Sequence, residues 1–284
     1  MVYLFKYVEN ILRSLILSES SSIISSRSLG DLLQSSLTST PCVNVRKNAR
    51  VKVVTGMLVQ YLETFTDSVV VRDDTKPMGV IGGREIIQGI HKNPSSDFFE
   101  MQQVGDIVDN RLNIVTSDTS LAKLISLWKK VGRAFALIDM GNEDYSVISV
   151  KKLLEIGINN NLDSRISEIP KKKIVTCDKD STFGYVVKLM LENRTRKILL
   201  EGTTQFINDR IIIESIETFD YLLGNDNFLD IPVSVVSFED AKVVTDDLNL
   251  SEISKIMYDM SQPLIIHEDR VISSWDICMA LAKN

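Results

Sequence analysis

The strongest constraint on this chain is an internal repeat, because self-similarity at a fixed period settles the architecture before any single element does. The strings NIVTSDTSL from Asn113, KIVTCDKDS from Lys173 and KVVTDDLNL from Lys242 share an apolar pair, a Thr and a polar turn containing Asp. A weaker copy, VNVRKNARV, places Arg46 where the others have Thr116, Thr176 and Thr245, so the four starts lie 70, 60 and 69 residues apart. The segments downstream of each start repeat as well. The stretches VKVVTGMLVQYLET, LAKLISLWKKV, TFGYVVKLMLEN and LSEISKIMYDM carry apolar residues at the three-and-four spacing of a half-buried helix. Short apolar runs then come in pairs: SVVVRD with MGVIGG, AFALIDM with YSVIS, KILLEG with QFIN, and PLIIHED with RVISS. These predict hairpins whose strands are buried on both faces. A second helix closes each unit, in REIIQGI, VKKLLEIG, RIIIESIETF and WDICMALAK. The predicted order is β-α-β-β-α in each unit, an α+β class.

A unit of roughly 60 residues buries too little surface to fold well alone, so the units are expected to pair. The Asn-rich spacer IGINNNLDSR places the boundary between two pairs near residue 160. The net charge of −6 opposes a nucleic-acid partner, which would call for a basic face. Cys42, Cys177 and Cys278 are odd in number and far apart, which suits a reducing, cytoplasmic setting and neither a disulfide framework nor a zinc site. At the N-terminus, Leu4, Phe5, Val8, Ile11, Leu12, Leu15 and Ile16 recur at helical spacing, while Lys6, Glu9, Asn10 and Arg13 interrupt any membrane span or targeting segment. This amphipathic helix suits packing on the body, a dimer contact or a membrane foot, and the Ser-rich SESSSIISSRS after it reads as a linker.

The β-α-β-β-α order, the V-T-x-D-x-x-hydrophobic opening and the hairpin entering a helix at S-S-W-D-I resemble repeats of the cystathionine-β-synthase (CBS) domain. The arrangement is similar to that of the γ subunit of AMP-activated kinase and of archaeal four-repeat proteins. The resemblance implies repeats at 28–92, 104–159, 163–222 and 231–284, after an N-terminal helix and linker at 1–27. It further implies pairing into two modules in a disc-like arrangement, no catalytic activity, and an adenine nucleotide (AMP, ADP or ATP) bound between repeats. A homodimer and a regulated enzyme or transporter as partner are implied by the same resemblance. A ligand-free scaffold for oligomerisation or docking is the alternative.

In the family, the end of the last strand carries an apolar or glycine pair, then Thr or Ser, two residues, and Asp. A carboxylate in the first turn of a helix can accept both ribose hydroxyls, beside free backbone N–H groups. Here the fourth repeat has Ser273 and Asp276, and the first has Gly82 and Glu85, with glycines that admit close backbone approach. The second and third repeats have Ser149 with Lys152 and Asn208 with Ile211, so they lack the carboxylate. Thr176 and Thr245 of the opening strings join the candidate set. For phosphate, the segments before the first hairpin strand offer Lys129, Lys130 and Arg133 in the second repeat, and Arg194, Arg196 and Lys197 in the third. The first and fourth have Glu63, Asp67 and Asp259 there. Each candidate keeps a plain alternative: Ser273 and Asp276 as a helix cap, and the cations as a solvated helix end.

Overall fold

A computed structural model describes residues 24–60, 68–218 and 228–283. The expected N-terminal helix lies outside the described residues, as do Glu63 and Asp67. The Ser-rich stretch ends in packed structure, since Ile24 is buried and the short helix α1 (Leu29–Leu33) comes after it.

The first repeat comprises β1 (Asn44–Arg46), α2 (Val51–Gln60), β2 (Ser68–Asp73), β3 (Lys76–Gly82) and α3 (Gly83–Lys92), trailed by the short α4 (Ser96–Glu100). The second comprises β4 (Ile114–Val115), α5 (Leu121–Val131), β5 (Phe135–Gly141), β6 (Asp144–Ser149) and α6 (Val150–Asn159). The third comprises β7 (Thr176–Cys177), α7 (Phe183–Asn193), β8 (Lys197–Leu200), β9 (Gln205–Asn208) and α8 (Asp209–Thr218). After a short strand β10 (Glu239–Asp240), the fourth comprises β11 (Lys242–Val243), α9 (Leu250–Tyr258), β12 (Leu264–His267), β13 (Arg270–Ser273) and α10 (Ser274–Leu281). In every repeat the first strand pairs parallel with the second, and the second pairs antiparallel with the third. A parallel pair needs a crossover, and the intervening helix supplies it.

The predicted order therefore holds in all four repeats, but one register differs. Leu137 N donates to the Asn113 carbonyl and Leu199 N to that of Val175, while Thr119 N donates to Thr116 and Ser181 N to Asp178. Asp178, not Thr176, thus stands where Thr116 stands, and the N-caps Ser120, Thr182 and Asn249 fall four residues after Thr116, Asp178 and Thr245. With Arg46, Thr116, Asp178 and Thr245 as starts, the spacings become 70, 62 and 67 residues. A two-residue slip is silent in the apolar pattern because a strand's side chains alternate with period two.

The segment ahead of each repeat crosses to the other repeat of its module. The first amide of each leading helix would otherwise lack an acceptor. It finds one in the crossing segment: Val51 N donates to Gln102 O, Leu121 N to Arg27 O, Phe183 N to Ile231 O and Leu250 N to Ser164 O.

Each repeat buries two faces. Sheets meet within a module, where Val70 and Val80 pack with Phe135, Leu137 and Val147, and Leu199 and Phe206 with Leu264. Helices meet between modules. One core joins the second and fourth repeats through Leu124, Trp128, Leu153, Ile156, Leu250, Ile253 and Ile277, and another joins the first and third through Val54, Ile86, Ile90, Val186, Ile212 and Ile216. The α6–α9 crossing is tight enough that a Cβ on Gly157 would lie 2.2 Å from Ser254 Oγ and 2.9 Å from Ser254 Cβ. The four repeats thus form a closed ring, with sheet contacts on two sides and helix contacts on the other two.

Candidate functional site

The ring encloses a cavity of about 1120 Å³ to which all four repeats contribute. Eleven Lys and Arg residues line it against four Asp and Glu, in a chain whose net charge is −6. The positive charge is therefore concentrated, which favours an anionic occupant. Lys129, Lys130, Lys173 and Arg194 line the cavity without a side-chain ion pair or hydrogen bond among the described residues. Arg194 occupies the left-handed helix end (φ 50°) that Gly132 fills in the second repeat (φ 65°). A bulky residue there carries backbone strain, and the strain places a guanidinium at the cavity wall.

The start of the second helix differs in each repeat. In the fourth, buried Asp276 accepts from the amide and the hydroxyl of Ser273 at 3.0 and 2.7 Å through Oδ2, and the Lys172 ammonium pairs with its Oδ1. One carboxylate thus caps the helix and faces the cavity, and its outer oxygen is held by a lysine whose side chain is 52% exposed. Ile174, Val175, Leu199, Leu264 and Val271 supply apolar wall nearby, and Trp275 lines the same quarter.

In the first repeat, Glu85 accepts from Gly82 N at 2.9 Å and pairs with Arg84 at 3.0 Å and Arg133 at 2.5 Å. Arg133 also donates to Ser68 Oγ at 2.8 Å, and Asp109 binds Arg84 at 2.6 Å and Arg111 at 2.8 Å. Burial pushes the Asp109 carboxyl up, but the hydrogen bonds from Arg111 and the charges of Arg133 and Arg111 outweigh it and hold the pKa at about 2. In the second repeat, buried Lys152 donates to Ser36 Oγ at 2.7 Å and Ser39 Oγ at 2.8 Å, both from the segment before β1. In the third, Asn208 caps Ile211 N at 2.8 Å, and Asp209 pairs with Arg196 at 2.5 Å. The close approach expected at the first repeat's glycines is real, but it is made to protein: a Cβ on Gly83 would lie 1.9 Å from Asp209 Oδ2.

Among the candidate residues, the fold brings Ser273, Asp276, Glu85, Lys129, Lys130, Arg133, Arg194, Arg196 and Lys197 to the cavity wall. Gly82 is buried and leaves the wall to Gly83, while Thr176 and Thr245 are exposed and outside the lining. Arg133 and Arg196 are committed to internal carboxylates. Sequence reasoning missed Lys172, Lys173, Asp209 and Trp275. The lead-in lysines Lys172 and Lys173 carried no local signal, while Lys197 was legible as a cation at the start of a hairpin strand. Among the described residues no His, Cys, Asp and Glu cluster suits a metal, the three cysteines are free, and no helix is long and apolar enough to cross a membrane.

Four β-α-β-β-α repeats, paired through their sheets and closed into a ring, define the fold of a four-CBS-repeat protein. The chain is similar in structure to a Methanocaldococcus jannaschii protein described as a proposed archaeal homologue of g-AMPK. The match has a TM-score of 0.73 at 13% identity and covers 90% of this chain and 100% of that one. A conserved, uncharacterised Pyrococcus horikoshii protein matches with a TM-score of 0.54 at 12% identity, over 86% of this chain and 97% of that one. A CBS-domain-containing protein from Agrobacterium tumefaciens aligns at 14% identity over 46% of this chain and 93% of its own, with a TM-score of 0.39. No protein-family model and no curated protein sequence matches the chain. At such identities the likeness is one of fold.

Proposed function

We propose that this chain is a non-catalytic regulatory module that binds an adenine nucleotide, AMP, ADP or ATP, in the central cavity. The ribose hydroxyls sit on Asp276 beside Ser273, and the phosphates sit among Lys129, Lys130, Lys173 and Arg194. The observation that carries this reading is the convergence on one cavity of a helix-start carboxylate and four cations that are unpaired among the described residues. The description of the archaeal neighbour as a g-AMPK homologue supports it. Because the wall is drawn from both modules, an occupant bears on their relative pose, which a regulated enzyme or transporter would read. Calorimetric titration with AMP, ADP and ATP is the direct test, and no heat or thermal shift from any of them at millimolar concentration would remove the proposal.

Asp276→Ala is expected to lose one or two charge-assisted hydrogen bonds, worth roughly 1.5–3 kcal/mol each, and to weaken nucleotide binding at least about tenfold. If the carboxylate only favours the helix start, the change costs about 0.3–1 kcal/mol of stability and leaves affinity untouched. Melting temperature and affinity measured on Asp276→Ala and Asp276→Asn separate the two roles.

The alternative of a ligand-free scaffold draws on the first and second repeats. There Glu85 with Arg133, and Lys152 with Ser36 and Ser39, occupy the helix starts with the protein's own side chains. That reading predicts no adenylate response.

A further inference from the structure

The hairpins align across repeats because the residue opposite each helix N-cap is fixed by strand register. Ser68 faces Gly82, Phe135 faces Ser149, Lys197 faces Asn208 and Leu264 faces Ser273. Three of these side chains are uncharged and buried. Lys197 alone brings an amine to this inward position, and it lines the cavity. Its ammonium reaches into the fourth repeat and donates to the Pro263 carbonyl, one residue before the Leu264 that pairs with Ser273, and it also lies 5.4 Å from the Phe206 ring centroid. It therefore sits in the floor of the quarter that holds Ser273 and Asp276.

Four charged groups act on it. Arg196 precedes it in the chain, Asp209 stands at the start of α8, Asp276 in the first turn of α10 and Glu239 on β10. Asp209 is paired with Arg196 and Asp276 with Lys172, so two of the three carboxylates around the amine are already shared and Glu239 alone is left to offset it. A cation in such a place costs free energy unless an anion joins it.

We infer that Lys197 is a further binding residue of the cavity, an anion anchor that takes up a proton when the negatively charged part of a ligand enters. The inference rests on the adenylate reading for the identity of the ligand, and on the position of Lys197 for the proton. Burial first, and the charge of Arg196 second, lower the amine from its ordinary 10.5 to about 7 in the empty protein. An anion raises it again, so binding takes up a proton and affinity falls as pH rises above neutrality, by at most about tenfold per unit for one proton. The same shift makes the empty protein less stable than Lys197→Met at pH 7 and below. That difference shrinks as pH rises toward the unfolded-state value of 10.5, because in this window the unfolded chain holds the extra proton.

The proton count is read by calorimetry with ADP between pH 7 and 8.5, in two buffers of different ionisation heat, on the parent, Lys197→Met and Lys197→Arg. The parent is expected to take up more proton than either variant, and Lys197→Arg to bind with little pH dependence. Equal uptake in the parent and Lys197→Met overturns the inference. A second arm needs no nucleotide: the pH midpoint of amine acylation at Lys197, tracked by peptide mass spectrometry, is expected near neutrality in the empty protein and higher with inorganic tripolyphosphate. A midpoint in the range of the surface lysines, or one that no anion moves, overturns the anchor whatever ADP does. If tripolyphosphate moves the midpoint while ADP fails to bind at any pH, the anchor stands and the adenylate reading falls.

Discussion

Replacing Arg133 with Met is expected to cost about 3 kcal/mol or more of folding free energy, measured by urea unfolding, a large share of the total stability of an ordinary protein. Arg133 is 9% exposed, and its guanidinium holds Glu85, itself 5% exposed, together with Ser68 of the neighbouring repeat. Removing one partner of a buried pair leaves the other charge uncompensated, and that accounts for most of the loss. Arg84 still pairs with Glu85 at 3.0 Å, so the expected cost lies toward the lower end of the roughly 3–5 kcal/mol typical of such changes. Combining Arg133→Met with Glu85→Gln is expected to restore much of the stability, because removing both charges together is often close to neutral. Acid unfolding gives a second readout. The Asp109 carboxyl is held at about 2, so the stability it contributes is complete above its ordinary value of 3.8 and is lost as pH falls toward 2. Arg133→Met removes one of the charges holding it down and is expected to flatten this acid limb. A variant as stable as the parent would show that Arg133 is not committed to the network and is free for phosphate.

The contrast between Arg133 and Arg194 shows what the amino-acid sequence reveals of such a protein. Both are cations just ahead of a hairpin strand, and no local pattern separates them. One lies opposite the buried Glu85 of another repeat, while the other stands at a left-handed helix end with no acceptor among the described residues. Pairing across 48 positions is a tertiary fact. The helices were legible because periodic apolar residues and caps act locally: LAKLISLWKKV became Leu121–Val131 between its Ser120 cap and Gly132. The hairpins were legible for the same reason. The start of the third repeat was misplaced by two residues because a strand displaced by that amount presents the same faces. At the site, Ser273 and Asp276 carried a local signature, a cap with an acid three residues on. Lys172, which holds Asp276, arrives from a lead-in segment more than 100 residues away with no pattern of its own.

Cutting the chain after Asn160, at the spacer that looks from sequence like a boundary, is expected to leave two halves that do not melt cooperatively when purified separately. Each of the two main cores takes side chains from both halves: Leu153 and Ile156 with Leu250 and Ile253 in one, Ile86 and Ile90 with Val186 and Ile212 in the other. Sheet contacts within a module survive the cut, but the helix faces between modules become exposed apolar surface, which a separate chain must cover by aggregation or by another copy. Co-expressed halves are expected to purify together in equal amounts and to melt as a unit. Gly157→Leu in the intact chain attacks the same interface from inside, because the new side chain meets Ser254 in the α6–α9 crossing, and overpacking of this kind costs about 1–3 kcal/mol. The cut also divides the cavity, with Lys129 and Lys130 on one side and Lys173, Arg194 and Asp276 on the other. On the proposed adenylate reading, binding is therefore expected from the reassembled pair and to be much weaker in the C-terminal half, which keeps Asp276 but loses the facing wall and two cations. Independent, monomeric folding of both halves, with full affinity in the C-terminal one, would show that the helix faces between modules are incidental and that the site belongs to one module alone.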